Sequence, residues 1–122
     1  MRVVLIDDDE DLRVAMRLAL KSSGIASDSY ASCDTAMAAL AESDARPDAI
    51  LLDLHLDGAG TSPEAFIAWL RGGRLRDVPV LLVTAAHNAA TRTRELGANG
   101  YLAKPFDVGS LLQRVATLIG RD

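Results

Sequence analysis

The segment Ala49-Ile50-Leu51-Leu52-Asp53 is an apolar run that ends in a carboxylate. A short aliphatic run bounded by polar residues is typical of a strand that is buried on both faces of a parallel sheet. In open parallel α/β sheets, ligands bind in the crevice beyond the carboxyl ends of the strands. The segment therefore predicts that Asp53 lies at such a crevice.

Three other apolar runs end in polar side chains in the same way. Residues 3–6 precede Asp7 and Asp8, residues 80–83 precede Thr84, and residues 101–103 precede Lys104, which Pro105 follows. Because the carboxyl ends of parallel strands meet at one edge of a sheet, these side chains are expected to converge there with Asp53. Three carboxylates, a hydroxyl and an ammonium suit a divalent cation and a phosphoryl group.

Strand-like and helix-like segments alternate along the chain, which is typical of βαβ units. Helical patterns cover about residues 10–23, 32–42, 62–72, 89–96 and 107–119, and a weaker strand covers residues 25–30. Ser32 and Asp107 are expected to cap their helices, and Gly97 to end the fourth. The pattern predicts a doubly wound (βα)5 three-layer sandwich around a five-stranded parallel sheet.

Length and composition restrict the class of protein. The 122 residues suit one domain, so we expect a single domain over residues 1–122. The net charge of −4 and the lack of a basic stripe argue against direct binding of nucleic acid or of an anionic membrane. The single cysteine, Cys33, excludes an internal disulfide. No apolar run approaches the roughly 18 residues of a membrane span and no signal peptide is evident, so we expect a cytoplasmic location.

Asp7, Asp8 and Asp53 are the candidate metal ligands. Mg²⁺ prefers oxygen ligands, and crowded carboxylates repel one another without a cation. The alternative interpretation is that the acidic run only complements the N-terminus of the first helix. We favour that interpretation for the acidic residues 9–11, but not for Asp7 and Asp8, because Asp53 is expected beside them.

A role for each group follows from its chemistry. Asp53 is the candidate nucleophile, which attacks phosphorus and forms an acyl phosphate. A metal ion held by Asp8 and Asp53, with Asp7 nearby or acting through water, neutralises charge on the phosphoryl oxygens. Thr84 supplies a hydroxyl hydrogen bond, and Lys104 a positive charge, to those oxygens.

Several short motifs resemble the receiver domains of two-component response regulators, the CheY-like family. They are LIDDD at residues 5–9, LLDL at 51–54, LVTA at 82–85 and GANGYLAKPF at 97–106, and the resemblance covers residues 2–119. It implies the flavodoxin-like strand order 2-1-3-4-5. It also implies a phosphorelay function: Asp53 accepts a phosphoryl group from a phosphohistidine in a Mg²⁺-dependent reaction, which switches a protein-interaction surface.

The resemblance adds roles for further residues. It implies that the backbone carbonyl of His55 completes the Mg²⁺ ligands, with Mn²⁺ as an alternative ion, and that the Lys104–Pro105 peptide bond is cis. Tyr101 matches the aromatic residue whose rotamer reports phosphorylation, together with Thr84. The side chains of His55 and Ala86 match the positions that flank the approach of the hydrolytic water and so modulate the phosphoryl lifetime.

The implied partners are a histidine kinase or histidine phosphotransfer protein and a downstream protein target or output domain, and a weak homodimer is compatible with the family. Nucleic acid and membranes are not expected as direct partners. The chain is not expected to be an enzyme beyond its own aspartate phosphorylation and dephosphorylation. The sequence stops soon after the last predicted helix, so both a stand-alone regulator and the receiver of a larger protein remain open.

The sequence departs from the family pattern in places, and two other functions are compatible with parts of it. Asp57 stands where the family usually has proline, and the segment from Thr84 to Tyr101 is about two residues shorter than expected. One alternative is an unphosphorylated pseudo-receiver that serves only as an interaction module. The other is a haloacid-dehalogenase-like phosphohydrolase with Asp7 as nucleophile and Asp9 as acid. The phosphohydrolase is disfavoured because Asp11 stands where that family has threonine or valine.

Overall fold

The computed structural model describes residues 1–56, 60–85 and 87–120. Strands and helices alternate throughout these residues. The strands are β1 (Arg2–Ile6), β2 (Ala26–Tyr30), β3 (Ala49–Asp53), β4 (Val80–Thr84) and β5 (Gly100–Ala103). The helices are α1 (Glu10–Ser22), α2 (Cys33–Glu42), α3 (Pro63–Arg71), α4 (Ala89–Leu96) and α5 (Val108–Leu118).

The five strands form one parallel sheet in the order β2-β1-β3-β4-β5. In the register, Ile6 lies opposite Leu52, Asp53 opposite Val83, and Thr84 opposite Ala103. The carboxyl ends of β1, β3, β4 and β5 therefore lie side by side. The predicted fold class and strand order are confirmed.

Apolar side chains cover both faces of the sheet because alternate residues of each strand point to opposite sides. One core cluster joins the sheet to α2 and α3, and the other joins it to α1 and α5. Every residue of β3 and β4 is buried, which explains their nearly continuous aliphatic sequences. The central strands are thus fixed on both faces, and their C-terminal residues are held in place by that packing.

Side-chain caps define where most helices begin. Asp9 accepts a hydrogen bond from the Leu12 amide at 3.2 Å at the start of α1. Ser32, Ser62 and Asp107 accept equivalent bonds at the starts of α2, α3 and α5. These bonds satisfy amide groups that have no partner within the helix. The predicted Ser32 and Asp107 caps are confirmed.

The boundary between α1 and β2 differs slightly from the sequence prediction. Helix α1 ends at Ser22 rather than Ser23, and β2 begins at Ala26 rather than Ile25. The Ile25 amide donates to the Leu20 carbonyl at 3.0 Å, so Ile25 belongs to the turn that ends the helix. Among the described residues, no helix combines the length and the apolar character that a bilayer-spanning segment requires.

Candidate functional site

Three carboxylates meet at the carboxyl edge of the sheet. Asp7 directly follows β1 and Asp53 ends β3, and both are almost fully buried, with relative exposures of 1% and 4%. Asp8 is exposed. One carboxylate oxygen from each residue lies within 4.8 Å of the others. Hard divalent cations such as Mg²⁺ bind sets of oxygen ligands of this kind, so the residues present fit such an ion.

Asp7 is held in position by several hydrogen bonds. Its Oδ1 accepts from the Asp9 amide at 2.9 Å, and its Oδ2 accepts from the Lys104 ammonium at 3.1 Å. Its backbone carbonyl accepts from the Arg13 guanidinium at 2.7 Å. This carboxylate is therefore oriented by the backbone on one side and by a cation on the other.

The Asp53 carboxylate is less well compensated. Its Oδ1 accepts a hydrogen bond from the His55 amide at 3.0 Å and lies 3.6 Å from the Lys104 Nζ atom. Burial raises the pKa of the Asp53 carboxyl, and the charges of Asp7 and Asp8 raise it further, while the His55 amide and the Lys104 ammonium oppose the rise. The Lys104 ammonium thus lies near two of the three carboxylates, and a divalent cation held by the group would neutralise further negative charge.

Thr84 and Lys104 lie at the ends of the strands on the side of β3 away from β1, although the Lys104 ammonium reaches both buried carboxylates. Thr84 ends β4 and is fully buried, and its backbone carbonyl accepts a hydrogen bond from the Lys104 amide at 2.8 Å. The Lys104–Pro105 peptide bond is cis. The Lys104 side chain is 25% exposed, and its ammonium lies between Asp7 and Asp53. A positive charge is therefore available beside the Asp53 carboxylate without being fully withdrawn from solvent.

Two of the remaining site residues from the sequence, Tyr101 and His55, lie in the described part of the chain. Tyr101 is half-buried on β5, and the Arg114 guanidinium lies 5.7 Å from the centre of its ring. His55 has an exposed side chain. Ala86, and Asp57 in the β3–α3 loop, lie outside the described residues.

One contact near the site has no signal in the sequence. Asp34, in the first turn of α2, accepts hydrogen bonds from the amide of Thr61 at 3.1 Å and from the Thr61 hydroxyl. The two residues are 27 positions apart, and neither belongs to a motif that identifies the other. Only the packing of α2 beside the β3–α3 loop brings them together.

Comparison with known proteins agrees with this geometry. The response regulator receiver domain family matches residues 3–116. The transcriptional regulatory protein QseB of Haemophilus influenzae is 36% identical over 126 residues, which cover 99% of this chain and 53% of QseB. The chain spans about half the length of the curated relatives it matches.

Solved structures show the same fold. A response regulator receiver protein from Burkholderia phymatum is 34% identical, with a TM-score of 0.85 and coverage of 99% of this chain and 96% of that one. The chemotaxis response regulator CheY4 of Vibrio cholerae is 23% identical, with a TM-score of 0.85 and coverage of 96% and 97%, and that likeness supports the fold alone. The chain belongs to the receiver domain family of two-component response regulators.

Proposed function

We propose that this receiver domain is a phosphorelay switch in which Asp53 is the phosphoryl acceptor. The observation that carries the proposal is the setting of the Asp53 carboxylate. It is buried at the end of β3, within 4.8 Å of oxygens from Asp7 and Asp8, and 3.6 Å from the Lys104 ammonium. A nucleophile, groups for a cation and a charge for the phosphoryl oxygens are therefore adjacent.

The metal ligands in this proposal are the carboxylates of Asp8 and Asp53 and the backbone carbonyl of His55, with Asp7 acting directly or through a water molecule. When bound, Mg²⁺, or Mn²⁺ in its place, neutralises the charge that gathers on the phosphoryl oxygens. The grouping of carboxylate oxygens supports this assignment, because closely spaced negative charges favour a bound cation.

The protein side chains account for the rest of the transfer step. An Asp53 oxygen attacks the phosphorus of a phosphohistidine, and the imidazole leaves with the electrons of the broken P–N bond. The Lys104 ammonium and the Thr84 hydroxyl bond to phosphoryl oxygens as the acyl phosphate forms. Burial raises the pKa of Asp53, which makes its ionised form more basic and so a better nucleophile once the partner's phosphoryl group is in place.

The acyl phosphate would act by shifting an equilibrium between two conformations. A phosphoryl group on Asp53 gains a hydrogen bond only where the Thr84 hydroxyl is close, so it favours that conformation. Tyr101 then turns inward, away from its contact with Arg114, and the surface around β5 changes shape. The partners in this proposal are a histidine kinase or phosphotransfer protein and a downstream protein target. The single domain, the cytoplasmic location and the weak homodimer remain predictions.

Acetyl phosphate labelling tests the acceptor assignment. With MgCl₂, the intact mass of the protein should rise by about 80 Da, the mass of one phosphoryl group. Asp53→Asn should abolish the gain, and EDTA should suppress it. Asp44→Asn, which changes an exposed aspartate between α2 and β3, is the matched control and should label normally. Equal labelling of Asp53→Asn would exclude Asp53 as acceptor, and a wild-type protein that never labels would favour the pseudo-receiver.

A further inference from the structure

The loop between β3 and α3 is fastened to α2 at its far end. The Asp34 carboxylate accepts two hydrogen bonds from the same residue: its Oδ2 from the Thr61 amide and its Oδ1 from the Thr61 hydroxyl. These bonds hold the pKa of Asp34 below its ordinary value, and the bond from the Thr61 hydroxyl contributes more than the bond from the amide. Both oxygens of the carboxylate are thus engaged by one point on the loop, and we call this pair the Asp34–Thr61 clamp.

The backbone before Thr61 is shaped to allow this contact. Gly60 has φ of +115°, a conformation that residues with a side chain rarely adopt. A Cβ atom at this position would lie 2.2 Å from the Asp34 Oδ2 atom. The chain therefore passes over the carboxylate at a distance that only glycine permits. The next residue, Ser62, caps α3, so the clamp lies directly before the start of that helix.

The near end of the same loop is held at the candidate metal site. The Leu54 amide donates to the Val83 carbonyl at 3.3 Å, and the His55 amide donates to the Asp53 carboxylate at 3.0 Å. His55, whose carbonyl is the proposed metal ligand, thus lies two positions after the end of β3, and the loop is held again at Thr61. His55 and Thr61 are thus each held by hydrogen bonds, and holding two points of a chain reduces the conformations open to the residues beside them.

We propose that Asp34 is a positioning residue for the metal site. The Asp34–Thr61 clamp restrains the β3–α3 loop, so that the His55 carbonyl is already oriented toward the cation held by Asp8 and Asp53. The proposal rests on the metal and acceptor roles given above. It also accounts for one departure in the sequence: residue 57 is aspartate where the family usually has proline, so the loop lacks a residue that would stiffen it.

Because the clamp works through hydrogen bonds rather than through charge, a variant that keeps the bonds and removes the charge is a suitable control. In Asp34→Asn, the amide oxygen accepts from the Thr61 N–H and the amide nitrogen donates to the Thr61 hydroxyl oxygen, so both bonds are retained without the charge. Asp34→Ala removes both bonds. Thr61→Ser keeps the hydroxyl, and Thr61→Val removes it while preserving the shape of the side chain.

Magnesium titration of the full chain, followed by the backbone amide NMR shifts of Asp53 and His55, tests the proposal. Asp34→Ala and Thr61→Val should raise the Kd for Mg²⁺ by roughly three- to tenfold, since residues that orient a metal ligand usually have effects of this order or larger. Asp34→Asn and Thr61→Ser should stay within about twofold of wild type. The double variant Asp34→Ala/Thr61→Val should be no weaker than the more affected single variant, because both remove one clamp.

A kinetic readout separates positioning from general stability. At saturating Mg²⁺, the rate of phosphorylation of Asp34→Ala by acetyl phosphate should return to the wild-type value, because only the cost of orienting the carbonyl has changed. The inference is overturned if Asp34→Ala binds Mg²⁺ as tightly as wild type, or if Asp34→Asn is impaired as much as Asp34→Ala. A wild-type protein that shows no Mg²⁺-dependent shifts at Asp53 would instead refute the proposed function itself.

Discussion

Replacing the acceptor should make the metal-free protein more stable. At neutral pH, Asp53 is a buried carboxylate beside the carboxylates of Asp7 and Asp8. Asp53→Asn removes the charge, keeps nearly the same shape and leaves an oxygen that can accept the His55 amide hydrogen bond. The variant therefore relieves repulsion and desolvation at little cost in packing.

The distances give the size of the effect. At an effective dielectric constant of about 20, like charges 4.8 Å apart repel by about 3 kcal/mol, and the attraction to Lys104 at 3.6 Å is about 5 kcal/mol. Solvent screens the share of the exposed Asp8, so the repulsions and the attraction nearly cancel. The desolvation cost of the buried Asp53 charge then decides the sign, and the variant should gain about 1–2 kcal/mol in unfolding free energy, or roughly 4–8 °C in Tm.

The gain should depend on pH in a defined direction. The pKa of Asp53 is raised above its ordinary value of 3.8, so the folded protein binds a proton more tightly than the unfolded chain does. The stability of the wild type therefore falls as the pH rises from about 3.8 through the raised pKa, and the loss is complete above it. The advantage of Asp53→Asn over wild type should therefore shrink as the solution is acidified toward pH 3.8.

Urea unfolding followed by circular dichroism measures the difference. In EDTA at pH 7.5, Asp53→Asn should be more stable than wild type, and the control Asp44→Asn should match wild type. Added MgCl₂ should stabilise wild type by RT ln(1 + [Mg²⁺]/Kd) and the variant much less. The reasoning fails if Asp53→Asn is the less stable protein in EDTA, or if its advantage grows on acidification.

The convergence of the site could be predicted from the sequence because it depends on few facts. Each candidate residue directly ends or follows an apolar strand, and parallel strands place such residues at one edge whatever the loops do. Asp7, Asp53 and Lys104 meet for that reason, although Asp7 and Lys104 are 97 positions apart. The alternation of strands and helices was likewise sufficient for the fold class.

Contacts that depend on how loops pack were not predictable in this way. Arg71 is a basic residue at the end of a helix, which alone indicates only a favourable charge. In the structure, its guanidinium donates to the carbonyls of Val78 and Gly97 and to the Asn99 side chain, at 2.7 to 3.2 Å. It therefore joins the end of α3 to the segment before β4 and to the segment before β5. No periodicity predicts such a contact, because its partners come from two separate connections, α3–β4 and α4–β5.

The Asp34–Thr61 clamp is a second case of this kind. From the sequence, Asp34 is an acidic residue in the first turn of α2, where a negative charge is favourable for any helix. Its partner Thr61 follows Gly60, and the sequence does not show that the positive φ of Gly60 lets the chain pass close to the Asp34 carboxylate. The sequence shows the chemistry of the Asp34 side chain, but it does not show that α2 and the β3–α3 loop lie close together.

The remaining predictions concern the switch and the lifetime of the phosphoryl group. Thr84→Ala should still accept phosphate from acetyl phosphate but give smaller NMR changes around Tyr101, because the hydrogen bond that favours the switched conformation is gone. NMR changes as large as those of wild type would contradict the coupling between Thr84 and Tyr101. Dephosphorylation of the wild type should be slow, because Ala86 offers no hydrogen bond to a water in line with the acyl phosphate. Ala86→Glu should speed loss of the 80 Da label severalfold, which corresponds to a barrier lower by about 1 kcal/mol or less. The side chain of His55 is exposed beside the acceptor and should shield the phosphoryl group from water, so His55→Ala should shorten the lifetime of the 80 Da label. If His55→Ala instead lengthens the lifetime, the imidazole is positioning the attacking water and shielding is the wrong account of this side chain.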